Sequence, residues 1–313
     1  MMTTRGLAAR LGAVPAPVRG AFYMVMAAFG FSLMNMFIRI AAVELHPFQI
    51  AFFRNVFAFL FMLPWLASVG LSGLRTQRIG THILRSLFGI TAMLSWFSAA
   101  VLLPLGEAVA LNFTVPMFAT AGAALFLREA VGVRRWGATV VGFLGVLIVL
   151  RPGFAEITPA MALPVVAAVF MAASVLLVKS LSRTEHPATI VFYLNMILTP
   201  LSIGPALFVW QWPSWPILAA LAALGLFATF SQLFLTRAFS MAEASAIIPF
   251  DYARLPFIVI MAYVAFSEVP SIWIWPGAAV IASAAIYIAR REAKVARLRA
   301  ASGAAAESPR AHV

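Results

Sequence analysis

Two oppositely charged residues, Asp251 and Arg254, stand three positions apart inside the apolar stretch FDYARLPF at 250–257. On a helix that spacing puts both on one face, where they can pair, and Tyr252 adds an aromatic edge beside them. In a second apolar run Arg54 is followed by Asn55, with no acidic residue in that run. A charge at the centre of a membrane helix costs about 2.5–3.5 kcal/mol on an insertion scale, so Arg54 needs a partner from elsewhere. Asp251, helix carbonyls and an anionic group on a solute are the candidates. Pro116, Pro249 and Pro256 lie within apolar segments. Proline removes a donor and obstructs the carbonyl four residues earlier, which would release the carbonyls of Asn112 and Tyr252. Inside a membrane such carbonyls persist only when buried in protein or facing a wet cavity. Arg54, Asn55, Asn112, Asp251, Tyr252 and Arg254 are therefore the candidate substrate-binding residues, with Pro116, Pro249 and Pro256 as helix breaks lining the cavity. A structural ion pair and simple packing kinks are the competing roles for the same residues.

This is recognition chemistry rather than covalent chemistry. The chain has no cysteine and four histidines, none at ligand spacing with another histidine or a carboxylate on a helix. No nucleophile elbow, phosphate loop or zinc-protease motif is present. No metal, cofactor or enzymatic activity is expected.

The elements that must carry these residues are membrane helices. Hydrophobic residues make up 63% of the 313 and charged residues only 10%, with a mean hydropathy of +0.99. Each spanning helix needs about 20 apolar residues. Ten segments qualify, at roughly 18–42, 48–70, 83–103, 107–127, 135–152, 161–181, 188–210, 216–236, 244–266 and 272–290. Basic residues concentrate in alternate loops: Arg5, Arg10 and Arg19, then Arg75, Arg78 and Arg85, then Arg128, Arg134 and Arg135, then Lys179 and Arg183, then Arg237, then the tail from Arg290. Basic loops stay in the cytoplasm, so both termini are expected there. The net charge of +12 is on this reading an orientation signal, and no nucleic-acid partner is expected. The opposite loops carry Trp210, Trp212, Trp215, Trp273 and Trp275, as an outer aromatic belt would. The basic tail would rest on anionic lipid, at about 1 kcal/mol per basic residue.

Compared with itself at an offset of 140, the chain repeats: Arg39 meets Lys179, His46-Pro47 meets His186-Pro187, Phe52 meets Phe192 and Asn55 meets Asn195. Ten helices divided by this repeat make two sets of five. Five is odd, so the second set must enter from the other side, which predicts an inverted repeat around a shared midplane site. The expected organisation is a cytoplasmic tail at 1–17, a first repeat at 18–152, a linker at 153–160, a second repeat at 161–291 and a basic cytoplasmic tail at 292–313. The His-Pro pairs are expected to cap helices. Arg39 and Lys179, near helix ends, are expected to snorkel to the interface. Small residues on helices five and ten (Ala138, Gly142, Gly145, Gly277, Ala278 and Ala282) permit close packing, between neighbouring helices or between protomers of a homo-oligomer.

Several of these stretches suggest a family. The His-Pro entry with Arg54 behind it, the run LPLGEAVALNFTVPMFATAGAALFLRE at 103–129, the closing Trp136–Gly145 helix and SEVPSIWIWPGA at 267–278 resemble the EamA domain of the drug/metabolite transporter superfamily. FDYARLPF is similar to the bacterial uptake branch that includes S-adenosylmethionine transporters. The resemblance implies an all-α polytopic protein of ten helices, as two inverted five-helix EamA repeats. The first, third, fourth, sixth, eighth and ninth helices would wall the cavity. It implies a multi-pass inner-membrane transporter with a small-molecule substrate, an amino acid or a derivative such as S-adenosylmethionine being favoured. An exporter of drugs or other metabolites in the same superfamily, and a non-transporting sensor or assembly protein, are the competing readings.

Overall fold

A computed structural model describes residues 15–103, 111–112, 114–129, 131–150 and 158–266, with scattered positions between 273 and 290. The expectations for the two tails, most of the linker and the segment 267–272 lie outside the described residues. All regular structure among the described residues is helical. The helices are α1 (Ala16–Ala41), α2 (Pro47–Val69), α3 (Ile79–Leu102), α4 (Val115–Phe126), α5 (Val133–Leu150), α6 (Ala162–Leu181), α7 (Pro187–Leu207), α8 (Trp215–Met241) and α9 (Arg254–Phe266). Among the described residues, six helical segments are long and apolar enough to cross a membrane: Ala16–Ala41, Pro47–Val69, Pro159–Leu181, Pro187–Leu207, Trp215–Met241 and Ile248–Ala265. Shorter apolar helices occupy Val115–Phe126 and Trp136–Gly145. The outside is apolar, as lipid requires: Phe126 and Val264 are 79% and 76% exposed.

Local chemistry explains the helix ends. His46 and His186 both precede a proline, and each Nδ1 accepts from the backbone N–H two residues on at 3.3 Å. Proline at the first position loses only a donor that would be orphaned anyway. The two repeat copies thus start α2 and α7 with the same device.

Packing repeats with the halves exchanged. α1 lies along α8, and α6 along α3; α1 touches α9, and α6 touches α4; α2 meets α8, and α7 meets α3. α2 and α7 pack on each other. A twofold relation between halves produces this pattern. The halves therefore interlock, each forming its principal helix pairs with the other. Glycine allows the closest approaches. A Cβ on Gly30 of α1 would stand 2.3 Å from Ser231 Oγ on α8, and one on Gly225 of α8 would stand 2.4 Å from Phe57 Cβ and 2.9 Å from the Ala58 nitrogen on α2.

Polar ties close the turns. Glu44, between α1 and α2, accepts from the Ser214 N–H at 3.1 Å and its Oγ at 2.7 Å, at the start of α8. Glu185, between α6 and α7, accepts from Thr76 Oγ1 and meets His82 Nε2 at 2.6 Å, at the start of α3. Arg78 donates to the Ser180 carbonyl and Oγ at 2.8 and 2.7 Å. Each corner ties a turn of one half to a helix start of the other. A histidine–carboxylate pair was not expected, because His82 and Glu185 are 103 residues apart and only the fold joins them.

Lys179 also departs from expectation. It does not reach the interface: it is 8% exposed, and Nζ donates to the carbonyls of Phe239, at 2.8 Å, and Ala242. Those carbonyls end α8, where a cation satisfies orphaned acceptors and the negative end of the helix dipole. Gly142 packs within the protomer, the Tyr252 ring standing 2.5 Å from where its Cβ would be.

Overpacking a filled contact costs about 1–3 kcal/mol, and at Gly225 the obstruction includes backbone. Gly225→Leu is expected to lower the Tm of detergent-purified protein by several degrees or to abolish a monodisperse peak. Gly80→Leu, where a Cβ meets nothing within 4 Å, is expected to leave both unchanged.

Candidate functional site

The site begins where helices break. Leu111 and Asn112 are helical, Thr114 forms a turn, and α4 restarts at Val115 with Pro116 in its first turn. Thr114 Oγ1 donates at 2.6 Å to the Leu111 carbonyl, which also accepts from the Thr114 N–H at 3.3 Å. In the second half a helical turn at Ala244–Ile247 passes into a 3-10 turn at Ile248–Ala253, and α9 starts at Arg254. Pro249 lies in the 3-10 turn and Pro256 in the first turn of α9. Pro116 and Pro256 therefore follow breaks rather than kinking continuous helices, because proline suits a first turn and obstructs an interior one.

These breaks face a central cavity of about 170 Å³. Its wall takes Met24, Phe31 and Asn35 from α1, Arg85 and Trp96 from α3, and Pro116 and Ala119 from α4. It takes Met171 and Val175 from α6, Gln232 and Phe239 from α8, and Asp251, Arg254 and Ile258 around the second break. The expected six helices are all represented, and α2 and α7 add Arg54 and Leu194.

Asp251 and Arg254 pair as their spacing predicts, with Arg254 Nη2 donating to Asp251 Oδ1 at 2.6 Å. The Arg254 guanidinium also lies over the Phe31 ring, 4.8 Å from its centre, a cation–π contact. Ser32 Oγ on α1 donates to the Arg254 carbonyl at 3.2 Å. Arg54 Nη1 donates to Asn55 Oδ1 at 2.8 Å, and Asn55 Nδ2 donates to Ser202 Oγ at 3.1 Å. Asn55 thus stands behind the wall and orients Arg54. Asn112 lies on the wall. Tyr252 does not: it is 1% exposed and turns away from the cavity against α5 at Gly142. Pro249 and Pro256 also sit off the wall, so of the three prolines Pro116 alone lines it.

Arg85 is the residue the sequence reading misplaced. Grouped there with a cytoplasmic loop, it is 1% exposed in α3, which begins at Ile79 rather than near 83. Nη1 donates to the Ile190 carbonyl at 2.8 Å and Nη2 to Gln232 Oε1 at 3.2 Å. A signal was present: Arg85, Gly89, Ala92 and Trp96 recur at helical spacing and share one stripe on the cavity. Hydropathy scanning discards such a stripe because it interrupts an apolar run.

Comparison with known proteins agrees with this architecture. The profile of the EamA-like transporter family matches residues 18–151 and again 158–290. A riboflavin transporter of Vibrio cholerae is 36% identical over 286 residues, covering 90% of this chain and 96% of that protein. An S-adenosylmethionine uptake transporter of Rickettsia felis is 34% identical over 251 residues, covering 80% and 85%. A solved crystal structure superposes with a TM-score of 0.75 at 17% identity, covering 87% of this chain and 98% of its own, which shows the shared fold.

The chain's lack of cysteine makes the cavity directly testable. Met34→Cys and Val175→Cys, both on the wall, are expected to react with a membrane-impermeant thiol reagent. Ala168→Cys, buried in the core away from the wall, is expected to stay unmodified. Protection of Met34→Cys and Val175→Cys alike would show that the cavity is not open to water.

Proposed function

The chain belongs to the EamA-like transporter family, and from that premise we propose that it moves a small organic metabolite across the inner membrane by alternating access. The observation that carries this is the cavity, walled by helices of both halves with charged and amide groups set against aromatic rings. A site shared by two interlocked halves can be exposed to either side as they rock. We take the halves to be residues 18–152 and 161–291, ten helices in inverted orientation with both termini cytoplasmic.

The substrate class we favour is a planar heteroaromatic ring bearing a polar tail. Riboflavin and S-adenosylmethionine, the solutes named for the relatives, share that build. Trp96, Phe97 and Phe31 offer ring faces, and Asn35, Asn112 and Gln232 offer both donors and acceptors. Four methionines on the wall, Met24, Met34, Met93 and Met171, supply an adaptable apolar lining. The acidic side chain on the described wall, Asp251, is tied to Arg254, and exchange or facilitated flux is the mode we favour over proton-driven uptake.

The test is counterflow in proteoliposomes of the purified chain, with labelled riboflavin and S-adenosylmethionine in parallel. One of them is expected to accumulate against preloaded unlabelled solute, without acceleration by an imposed proton gradient. Removing one partner of this partly buried ion pair leaves the other without its counter-charge, so Asp251→Asn is expected to cut flux by about tenfold or more, a loss of about 1.4 kcal/mol. Flux of neither solute would overturn the substrate class. Flux accelerated by the gradient, with the acceleration lost in Asp251→Asn, would overturn exchange.

A further inference from the structure

Two guanidinium groups on the cavity wall have no carboxylate to answer them among the described residues. Arg54 and Arg85 are 6% and 1% exposed and lie within electrostatic reach of one another. Their hydrogen bonds go to the Asn55 amide, the Ile190 carbonyl and the Gln232 amide, all neutral acceptors. A guanidinium carries five N–H donors and no acceptor, so three donated bonds leave most of the ten unused. The Arg85 Nε is buried with no hydrogen-bond partner. Asp251, the acidic side chain among the described wall residues, is held by Arg254.

Symmetry separates Arg54 from the groups that build the fold. His46 and His186 do the same capping work in both halves. Arg54 has no such double: at the repeat offset of 140 its counterpart is Leu194, which is also on the wall. Burying a charge without a counter-charge is strongly unfavourable, and a fold that needed none in one half does not need it in the other. A ligand in the cavity would supply what the protein leaves out.

Resting on the transport reading above, we infer that Arg54 and Arg85 form the polar anchoring subsite for the transported solute. They take a group that presents two adjacent acceptor atoms with negative charge or strong negative polarity. A carboxylate is one source of that chemistry, and the N1–O2 edge of a flavin ring is another. Arg85 also fixes how the solute lies. Trp96 is three turns along the same face of α3, about 16 Å away at 1.5 Å per residue. Gly89 and Ala92 lie between them on the wall, and a Cβ on Gly89 would be in ordinary contact with Leu194, Ser174 and Leu198 at 3.7–4.0 Å. The acceptor end seats on the two arginines, with Trp96 farther along the same face of α3 on the wall.

The test pairs thermal shift with counterflow, using Arg54→Gln, Arg85→Gln, Arg54→Lys and Arg85→Lys in the full chain, with the exposed loop variant Arg75→Gln as control. The solutes are riboflavin, S-adenosylmethionine and decarboxylated S-adenosylmethionine, which lacks only the carboxylate. The transported solute is expected to raise the Tm of the wild type and of Arg75→Gln. Each glutamine variant should raise its KM by about tenfold or more, as loss of a charge-assisted hydrogen bond would, and the lysine variants should recover part of it. If the source is a carboxylate, decarboxylated S-adenosylmethionine binds the wild type as weakly as S-adenosylmethionine binds the glutamine variants. If it is a flavin edge, riboflavin alone shows the arginine dependence. Flux with an unchanged KM in folded glutamine variants would overturn the subsite and leave transport standing. An arginine-dependent Tm shift without flux would overturn transport and leave the subsite. Absence of any arginine-dependent shift or KM change across the three solutes would overturn the subsite outright.

Discussion

In a bilayer no water is available to satisfy a polar group, so every one must find its partner inside the protein. The arrangement described above follows from that constraint. Lys179 closes the carbonyls at the end of α8, Glu44 and Glu185 hold the starts of α8 and α3, and Thr114 donates to a carbonyl at a helix break. Two of these four ties, those of Glu44 and Glu185, run between the two halves. There the polar groups that need satisfying are also the groups that join the repeats, and neither repeat has its corner contacts without the other.

The same constraint gives the cavity its meaning. Polar groups with no structural task are costly in this setting, and among the described residues Lys179, Glu44, Glu185 and Arg78 serve helix ends and turns. Others converge on the space between the halves: the Asp251–Arg254 pair beside Phe31, and Arg54 with Arg85. Small and flexible side chains complete the wall, so the site combines fixed charges with an adaptable surface. The breaks before α4 and α9 lie at this space, with Asn112, Pro116, Asp251 and Arg254 on its wall.

Much of this was legible because it is local or periodic. The His-Pro caps depend on three consecutive residues, the Asp251–Arg254 pair on one helical turn, and the breaks on proline and its near neighbours. The features that escaped notice are contacts across long sequence distances. Glu185 with His82, Lys179 with the end of α8, and the turning of Tyr252 toward Gly142 each depend on which helix lies alongside. Arg85 was missed for a different reason. A charge near the edge of an apolar run was assigned to a loop, although Gly89, Ala92 and Trp96 continue its face into the cavity.

By itself the sequence determined that this is an all-helical membrane protein of two related halves and where its helices give way, since hydropathy, duplication and proline act over short stretches of chain. It also determined that one ion pair would form, because both members ride on one turn. The tertiary structure alone decided which charges face the cavity and which cap helices. The physical reason is that a buried cation's role is set by the acceptors within about 3 Å of it. For Arg54 the acceptor is its neighbour Asn55, whereas for Lys179 and Arg85 those acceptors lie more than 50 residues away along the chain.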